Sequence, residues 1–270
     1  MAVINTNIAA TITSNALAKN ERAMGQTMER LSTGQRINSA ADDAAGLAIS
    51  SKMTSQIRGL DQAVRNGNDA ISMIQTADGA MLEVTNMLQR MRELTVQAAS
   101  NTNGNADLTA LNTEFEALTA QIQSISENTE WNGKKLLDGS AGSIAFQVGA
   151  NASQTISIEF ADLNVVAGTA EATTSGTDAL DLFNRIDSAV DAGTDTTDLD
   201  ALEFVDSNGA SVDGTALENT IKQLDNALAR VSSHRATLGA TINRLEYAVD
   251  NLANVSQNTA ASRSRILDAD

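Results

Sequence analysis

Two hundred and seventy residues are chain enough for one or two domains with a sizeable core, yet they include no proline, no cysteine, one His, one Trp, one Tyr and five Phe. Without a thiol and with a single imidazole, disulfide frameworks, thiolate metal sites, cysteine nucleophiles and most imidazole-rich hydrolase sites are excluded. Eighteen basic against 34 acidic residues leave a formal charge of −16, which argues against generic nucleic-acid or anionic-membrane binding, since both call for a basic surface.

The start, Met-Ala-Val-Ile-Asn-Thr-Asn, lacks the charged and apolar regions of a secretory signal. No apolar stretch approaches the roughly 18–20 residues of a membrane-spanning helix. In the first 35 residues Ile4, Ile8, Ile12, Leu17, Met24, Met28 and Leu31 give a weak amphipathic pattern amid Asn, Thr and Ala. Such a segment is too weakly apolar to hold a helix alone and needs a partner. Ser39-Ala-Ala-Asp42 matches a capping box ahead of the first long helix. Asp42 and Asp43 are read as compensating the helix N-terminus rather than as an acid/base pair, because adjacent helical residues point about 100° apart.

From Met53 apolar residues fall at Ile57, Leu60, Val64, Ile71 and Ile74, with Gly67 filling a seam position. A three-residue step then shifts the phase to Ala77, Met81, Val84, Leu88 and Met91. Steps of three and four make a coiled-coil seam, and the extra step of three is a stammer that overwinds it locally. The methionines at 53, 81, 87 and 91 read as flexible filler in that seam. Asn103-Gly104-Asn105 is a turn, with Asp107 as N-cap of a second helix whose seam is Leu108, Leu111, Phe115, Leu118, Ile122 and Ile125.

The period then changes. Asn132-Gly133 and Asp138-Gly139 supply turns, and Ile144, Phe146 and Val148, then Ile156, Ile158 and Phe160, alternate as the arms of a β-hairpin. Residues 161–214 hold twelve acids and one base, Arg185. Rich in Thr, Ala, Asp and Gly, the stretch 167–214 reads as a short surface insertion with one helical candidate around Asp178–Val190. The acidic run from Asp187 to Asp206 lacks the register of a calcium loop and is read as a solvated face. The last seam is Leu217, Ile221, Leu224, Leu228 and Val231, then Leu238, Ile242, Leu245, Val249 and Leu252, with Arg235 interrupting it. His234 has no second His or Cys to complete a metal site and is expected to be exposed or at an interface.

Helices are therefore predicted at about 44–100, 107–128 and 215–266, the first and last roughly 75–85 Å long. The fold class is mainly α, an elongated antiparallel helical bundle or coiled coil of long helices with a small β-hairpin region at about 144–160. Its parts are 1–43, a helical rod over 44–166, the insertion 167–214 and a C-terminal helix over 215–270.

Several stretches resemble bacterial flagellin: Ala2–Asn7, Glu29–Ser39, Asp42–Ile49, Leu88–Leu94, Gln147–Asn151 and Ser262–Asp270. The resemblance covers about residues 1–160 and 217–270. It implies a non-enzymatic structural subunit of the bacterial flagellar filament, self-assembling for swimming motility, with residues 1–43 as the assembly segment and no cofactor. Its implied partners are other subunits, an export chaperone, and cap and junction proteins. Its implied location is extracellular, reached through the flagellar secretion apparatus without a cleaved signal. Lack of disulfides and of slow X-Pro isomerisation suits refolding after export.

Flagellins continue past the motif at Asp270 into one more helix that packs with the N-terminal segment. Whether this chain is cut short or naturally brief, it is expected to assemble poorly alone. The resemblance also maps contacts for subunits, or for the animal Toll-like receptor for flagellin, onto Gln89, Arg90, Arg92, Glu93, Leu94 and Glu114, subunit contact being the native role. A further family position, commonly Arg, is Leu118 here. The competing functions are a hook–filament junction protein and a cell-surface polysaccharide-binding protein. Seven unclustered aromatic residues speak against the latter.

Overall fold

The computed structural model describes residues 7–100, 102–163 and 214–269. The predicted insertion 167–214, its helical candidate and its acidic run lie outside the described residues, apart from Gly214. Along the chain come α1 (Ile8–Thr33), α2 (Ala44–Ala98), α3 (Asn105–Asn128), β1 (Glu130–Trp131), β2 (Lys134–Lys135), β3 (Ser143–Gln147), β4 (Thr155–Glu159) and α4 (Gly214–Leu267). The fold is mainly helical, as the periodicity predicts, with two small antiparallel sheets among the described residues, one of them the predicted hairpin.

Two compact units share these elements, and α2 and α4 each contribute to both. One unit comprises Arg65–Val148 and Thr155–Val249. Here the predicted seam is the core: Ile74, Ala77, Met81, Val84, Leu88 and Met91 of α2 are fully buried with Leu224, Val231 and Leu245 of α4. Leu108, Phe115 and Ile122 of α3 complete it, with Leu136, Leu137, Ile158, Phe160 and Leu163. Arg92 of α2 pairs with Asp225 of α4, and Asp78 with Arg235, so one helix number falls as the other rises and the pair is antiparallel. Arg235, the interruption in the seam, is thus half-buried with its charge answered at 2.7 Å. Gly67 is buried because a Cβ there would lie 2.5 Å from Val249 Cγ2. Close approach of the helices requires glycine at that seam position.

The sheet region carries one element that sequence periodicity missed. Asn132 (φ 50°) and Gly133 (φ 77°) both adopt left-handed conformations, closing β1 on β2 as a two-residue hairpin. The second hairpin pairs Ile144 with Ile158 and Phe146 with Ile156, in the predicted alternation.

The other unit comprises Met1–Val64, Gly149–Gln154 and Asp250–Asp270. Its buried apolar side chains are Ile37, Leu60 and Ala63, among the described residues. Met53, Ile57, Val64 and Leu252 are only partly buried there, and polar pairs join the two helices: Ser256 Oγ donates to Asp61 Oδ1 (2.8 Å) and Arg263 to Thr54 Oγ1 (3.3 Å). Asn7 caps α1, its side chain accepting from the Ala10 N–H, and Gly34 ends the helix in the left-handed conformation (φ 68°). The chain then lies against the end of α4, where Arg36 donates through its backbone to the Leu267 carbonyl (2.7 Å) and through its side chain to the Ile266 carbonyl (2.8 Å). A cation there complements the negative end of the helix dipole.

Both predicted caps shift. Asp43, one residue after the expected box, caps α2, its carboxylate accepting from the Gly46 N–H (2.9 Å). Ser39–Asp42 forms the preceding turn, with the Asp42 carboxylate accepting from the backbone N–H groups of Asn38 and Ser39. Those two bonds hold the Asp42 carboxyl below its ordinary pKa. Gly104, not Asp107, is the N-cap of α3; Asp107 sits in the first turn and accepts from the Gly104 N–H (3.1 Å).

Candidate subunit-contact surfaces

Helical spacing sorts the candidate residues on α2. Leu88, Met91 and Leu94 face the core, and Leu94 is only 1% exposed. Gln89, Arg90, Arg92 and Glu93 are exposed, as is Glu114 on α3. Leu94 therefore sits beneath the others rather than beside them. Arg90 and Glu93 are one helical turn apart and pair at 3.0 Å, while Arg90 reaches Glu114 at 2.9 Å and so links α2 to α3. Hydrogen bonding to Glu114, then to Glu93, raises the Arg90 pKa above its ordinary value. Arg92 points instead to α4, with Asp225 Oδ1 at 2.6 Å, and that bond raises its pKa likewise. Exposed pairs of this kind contribute about 0–1 kcal/mol to stability. Leu118 is half-buried against the core, leaving no charge at that position.

Sequence reasoning missed Leu82 and Val96, which are exposed large apolar side chains on the same side of α2 as Gln89. The three recur at intervals of seven, off the seam; an apolar residue at a recurring non-seam position was the available signal.

Among the described residues, α1 carries most of the exposed large apolar side chains. None of its residues is buried, and Ile8, Ile12, Leu17, Met24, Met28 and Leu31 are 57–80% exposed. Charge is distributed to match. By sequence the unit containing α1 holds eight basic and eight acidic residues, so the whole −16 resides in the other unit. Copies meeting through the neutral unit are spared the net like-charge repulsion that would oppose association.

His234, expected to be exposed or at an interface, is half-buried within its own unit; burial lowers its pKa, opposed by Glu159 and assisted by Arg230. Among the described residues no helix is long and apolar enough to cross a membrane.

Two long helices paired lengthwise around a continuous apolar seam, with no titratable cluster placed for catalysis among the described residues, mark a structural protein. The family described as the bacterial flagellin N-terminal helical region matches residues 4–142, and the bacterial flagellin C-terminal helical region matches residues 221–270. Flagellin of Bacillus subtilis (strain 168) is 45% identical over 279 residues, covering 99% of this chain and 87% of that protein. Polar flagellin F of Vibrio parahaemolyticus is 36% identical over 337 residues, covering 99% and 89%. A putative flagellar hook-associated protein from Vibrio parahaemolyticus shares the fold alone, at a TM-score of 0.64 and 12% identity, over 84% of this chain and 100% of that one. The chain belongs to the bacterial flagellin family. It is a structural, self-polymerising subunit of the flagellar filament.

Proposed function

We propose that α1 is the principal assembly helix, and that the outer face of α2 and α3 formed by Gln89, Arg90, Arg92, Glu93 and Glu114 is a second subunit contact, set in place from beneath by Leu94. The observation that carries the first part is the exposure of the large apolar side chains of α1, Ile8 and Ile12 in its first turns and Leu17, Met24, Met28 and Leu31 together on one side further on, since a large side chain left in water gains about 1.5–3 kcal/mol when fully covered. The second part is supported by the low intrachain value of the Arg90 and Arg92 pairs: charges worth so little within one copy are available to orient another.

The filament so built stands outside the cell. An export chaperone, and cap and junction proteins, serve it as they do the family. The same face of α2 and α3 is a secondary contact for the animal Toll-like receptor for flagellin.

The test is seeded polymerisation followed by electron microscopy. Replacing Met24 and Met28 with Glu is expected to stop elongation while leaving the monomer's thermal unfolding unchanged, because neither side chain is buried. Unimpaired elongation would refute the role of α1. Arg90→Asp is expected to slow elongation while the monomer's fold, read by circular dichroism, is retained. Elongation at the unaltered rate would remove this face from the subunit contacts.

A further inference from the structure

Asn-Gly is the dipeptide in which a carboxamide most readily loses ammonia, because glycine puts no Cβ in the way of ring closure between its own nitrogen and the asparagine side chain. The chain holds four such pairs, at Asn66-Gly67, Asn103-Gly104, Asn132-Gly133 and Asn208-Gly209, the last outside the described residues. The fold treats the first three differently. Gly67 is buried within α2, where its N–H is a helical donor, and the Asn66 carboxamide donates to the Gln147 carbonyl (3.1 Å). The Asn103 carboxamide donates to the carbonyls of Gln97 and Ser100. The Gly104 N–H donates to Asp107 Oδ2 (3.1 Å), a carboxylate that opposes loss of that proton. At both places the nitrogen and the amide it would attack are tied.

Asn132 and Gly133 are both exposed, and no described residue bonds the Asn132 carboxamide or accepts from the Gly133 N–H. A Cβ on Gly133 would meet no atom within 4 Å, so water and base reach its nitrogen. The pair forms the left-handed turn (φ 50° and 77°) between β1 and β2, whose arms are two residues each. Cyclisation requires that turn to open, and a two-stranded ladder this short opens at small cost. The Leu136 N–H on the Thr129 carbonyl (3.0 Å) holds the base of the hairpin, so opening stays at its tip.

We propose that Asn132-Gly133 is a site of spontaneous deamidation and isoaspartate formation. The deprotonated Gly133 nitrogen attacks Asn132 Cγ. The new N–Cγ bond closes a five-membered succinimide as the Cγ–Nδ2 bond breaks, and the proton lost from the nitrogen leaves on ammonia. Water then adds to one of the two ring carbonyls. Cleavage of the N–Cγ bond gives an aspartyl residue, whereas cleavage of the bond to the main-chain carbonyl gives an isoaspartyl residue, in which the chain runs through the side-chain carboxyl. Amide and water become carboxylate and ammonia, with nothing oxidised or reduced. The isoaspartyl product puts one extra methylene into a turn of two residues, so the pairing of Glu130 with Lys135 and of Trp131 with Lys134 loses its closure. Trp131, partly buried against the core, is then released toward water. The aspartyl product keeps the backbone length and tolerates the left-handed conformation, so it adds charge alone.

The test incubates the full chain in warm, mildly alkaline buffer, then maps its peptides by mass spectrometry, with isoaspartate detected by enzymatic methylation of its free carboxylate. Asn132 is expected to deamidate at least tenfold faster than Asn66 or Asn103. Either of those keeping pace with Asn132 overturns the proposal. In concentrated urea, where the three pairs share a dipeptide and lack the fold, their rates are expected to converge to within a few-fold. A spread in urea as wide as in the native chain would place the cause in neighbouring sequence and overturn the structural assignment. Trp131 is the only tryptophan, so its emission reports the hairpin. The isoaspartyl fraction is expected to emit further to the red than Asn132→Asp, which carries the charge without the methylene. Equal emission from the two overturns the release of Trp131.

Discussion

Two glycines of α2 make opposite predictions from the same substitution. Ala in place of Gly within a helix ordinarily adds about 0.8–1 kcal/mol, because glycine has more backbone freedom to lose. At Gly79, exposed and with no atom within 4 Å of a built Cβ, nothing opposes that gain, so Gly79→Ala is expected to stabilise by about 1 kcal/mol. At Gly67 the new methyl would lie 2.5 Å from Val249 Cγ2, whereas carbon atoms sit comfortably at about 3.5–4.0 Å. Val249 is β-branched and on a helix, where one χ1 rotamer is strongly preferred, so it has little room to turn away. The helices must part instead. Overpacking of this kind costs about 1–3 kcal/mol, which outweighs the propensity gain. Gly67→Ala is therefore expected to destabilise by about 1–2 kcal/mol, a difference of about 2–3 kcal/mol between the two variants. Urea unfolding followed by far-ultraviolet circular dichroism and by Trp131 fluorescence, the only tryptophan, measures both. Val249→Ala in the Gly67→Ala background is expected to recover part of the loss, since the two changes share one contact. If Gly67→Ala stabilised as much as Gly79→Ala, the close approach of α2 and α4 at this level would be wrong.

Phe115, 1% exposed at the centre of the α3 seam, is expected to lose about 3–5 kcal/mol on conversion to Ala, read by the same urea titration. His234 gives a pH-dependent expectation. Burial lowers its folded pKa below the ordinary 6.5, so the folded state resists the proton that the unfolded chain accepts. Its contribution is complete above 6.5 and is lost as pH falls toward the folded value. Relative to His234→Gln, the wild-type melting temperature is expected to drop through that window; parallel curves for the two proteins would refute the assignment.

The long seams were legible because a coiled-coil interface repeats. Ile74, Leu88 and Met91 are buried where spacing puts them, across the three-residue phase shift at Ala77. The hairpin of Ile144–Phe146 with Ile156–Ile158 was legible for the same reason, at period two. What escaped depends on atoms distant in sequence or on a single residue of phase. Ser39-Ala-Ala-Asp42 and Asp43 overlap as capping patterns, and only the path of the backbone decides that Asp43 is the cap. Asp107 likewise is a cap or a first-turn acceptor according to whether the helix starts one turn earlier. Gly67 reads as a gap in an apolar stripe until Val249 is known to lie opposite it. Of the candidate contact residues, Gln89, Arg90, Arg92 and Glu93 are exposed, whereas the burial of Leu94 was not legible in the phase, because the seam runs on from Met91 to Thr95 and leaves Leu94 one position off it. That Arg90 turns to α3 and Arg92 to α4 required the third dimension.

The contrast between the two units ties sequence to assembly. Where α2 and α4 meet through Ile74, Met81, Leu88, Leu224 and Leu245, burial is complete within one copy and folding needs no neighbour. Where they meet through Thr54, Asp61, Ser256 and Arg263, side-chain hydrogen bonds fix the register, but each is worth little net because water offered the same bonds before folding. Three buried apolar residues do not supply the driving force that a unit carrying a bare 26-residue helix requires. That deficit is the ground for proposing α1 as an assembly helix: a subunit whose second unit were equally well buried would gain less from its neighbours.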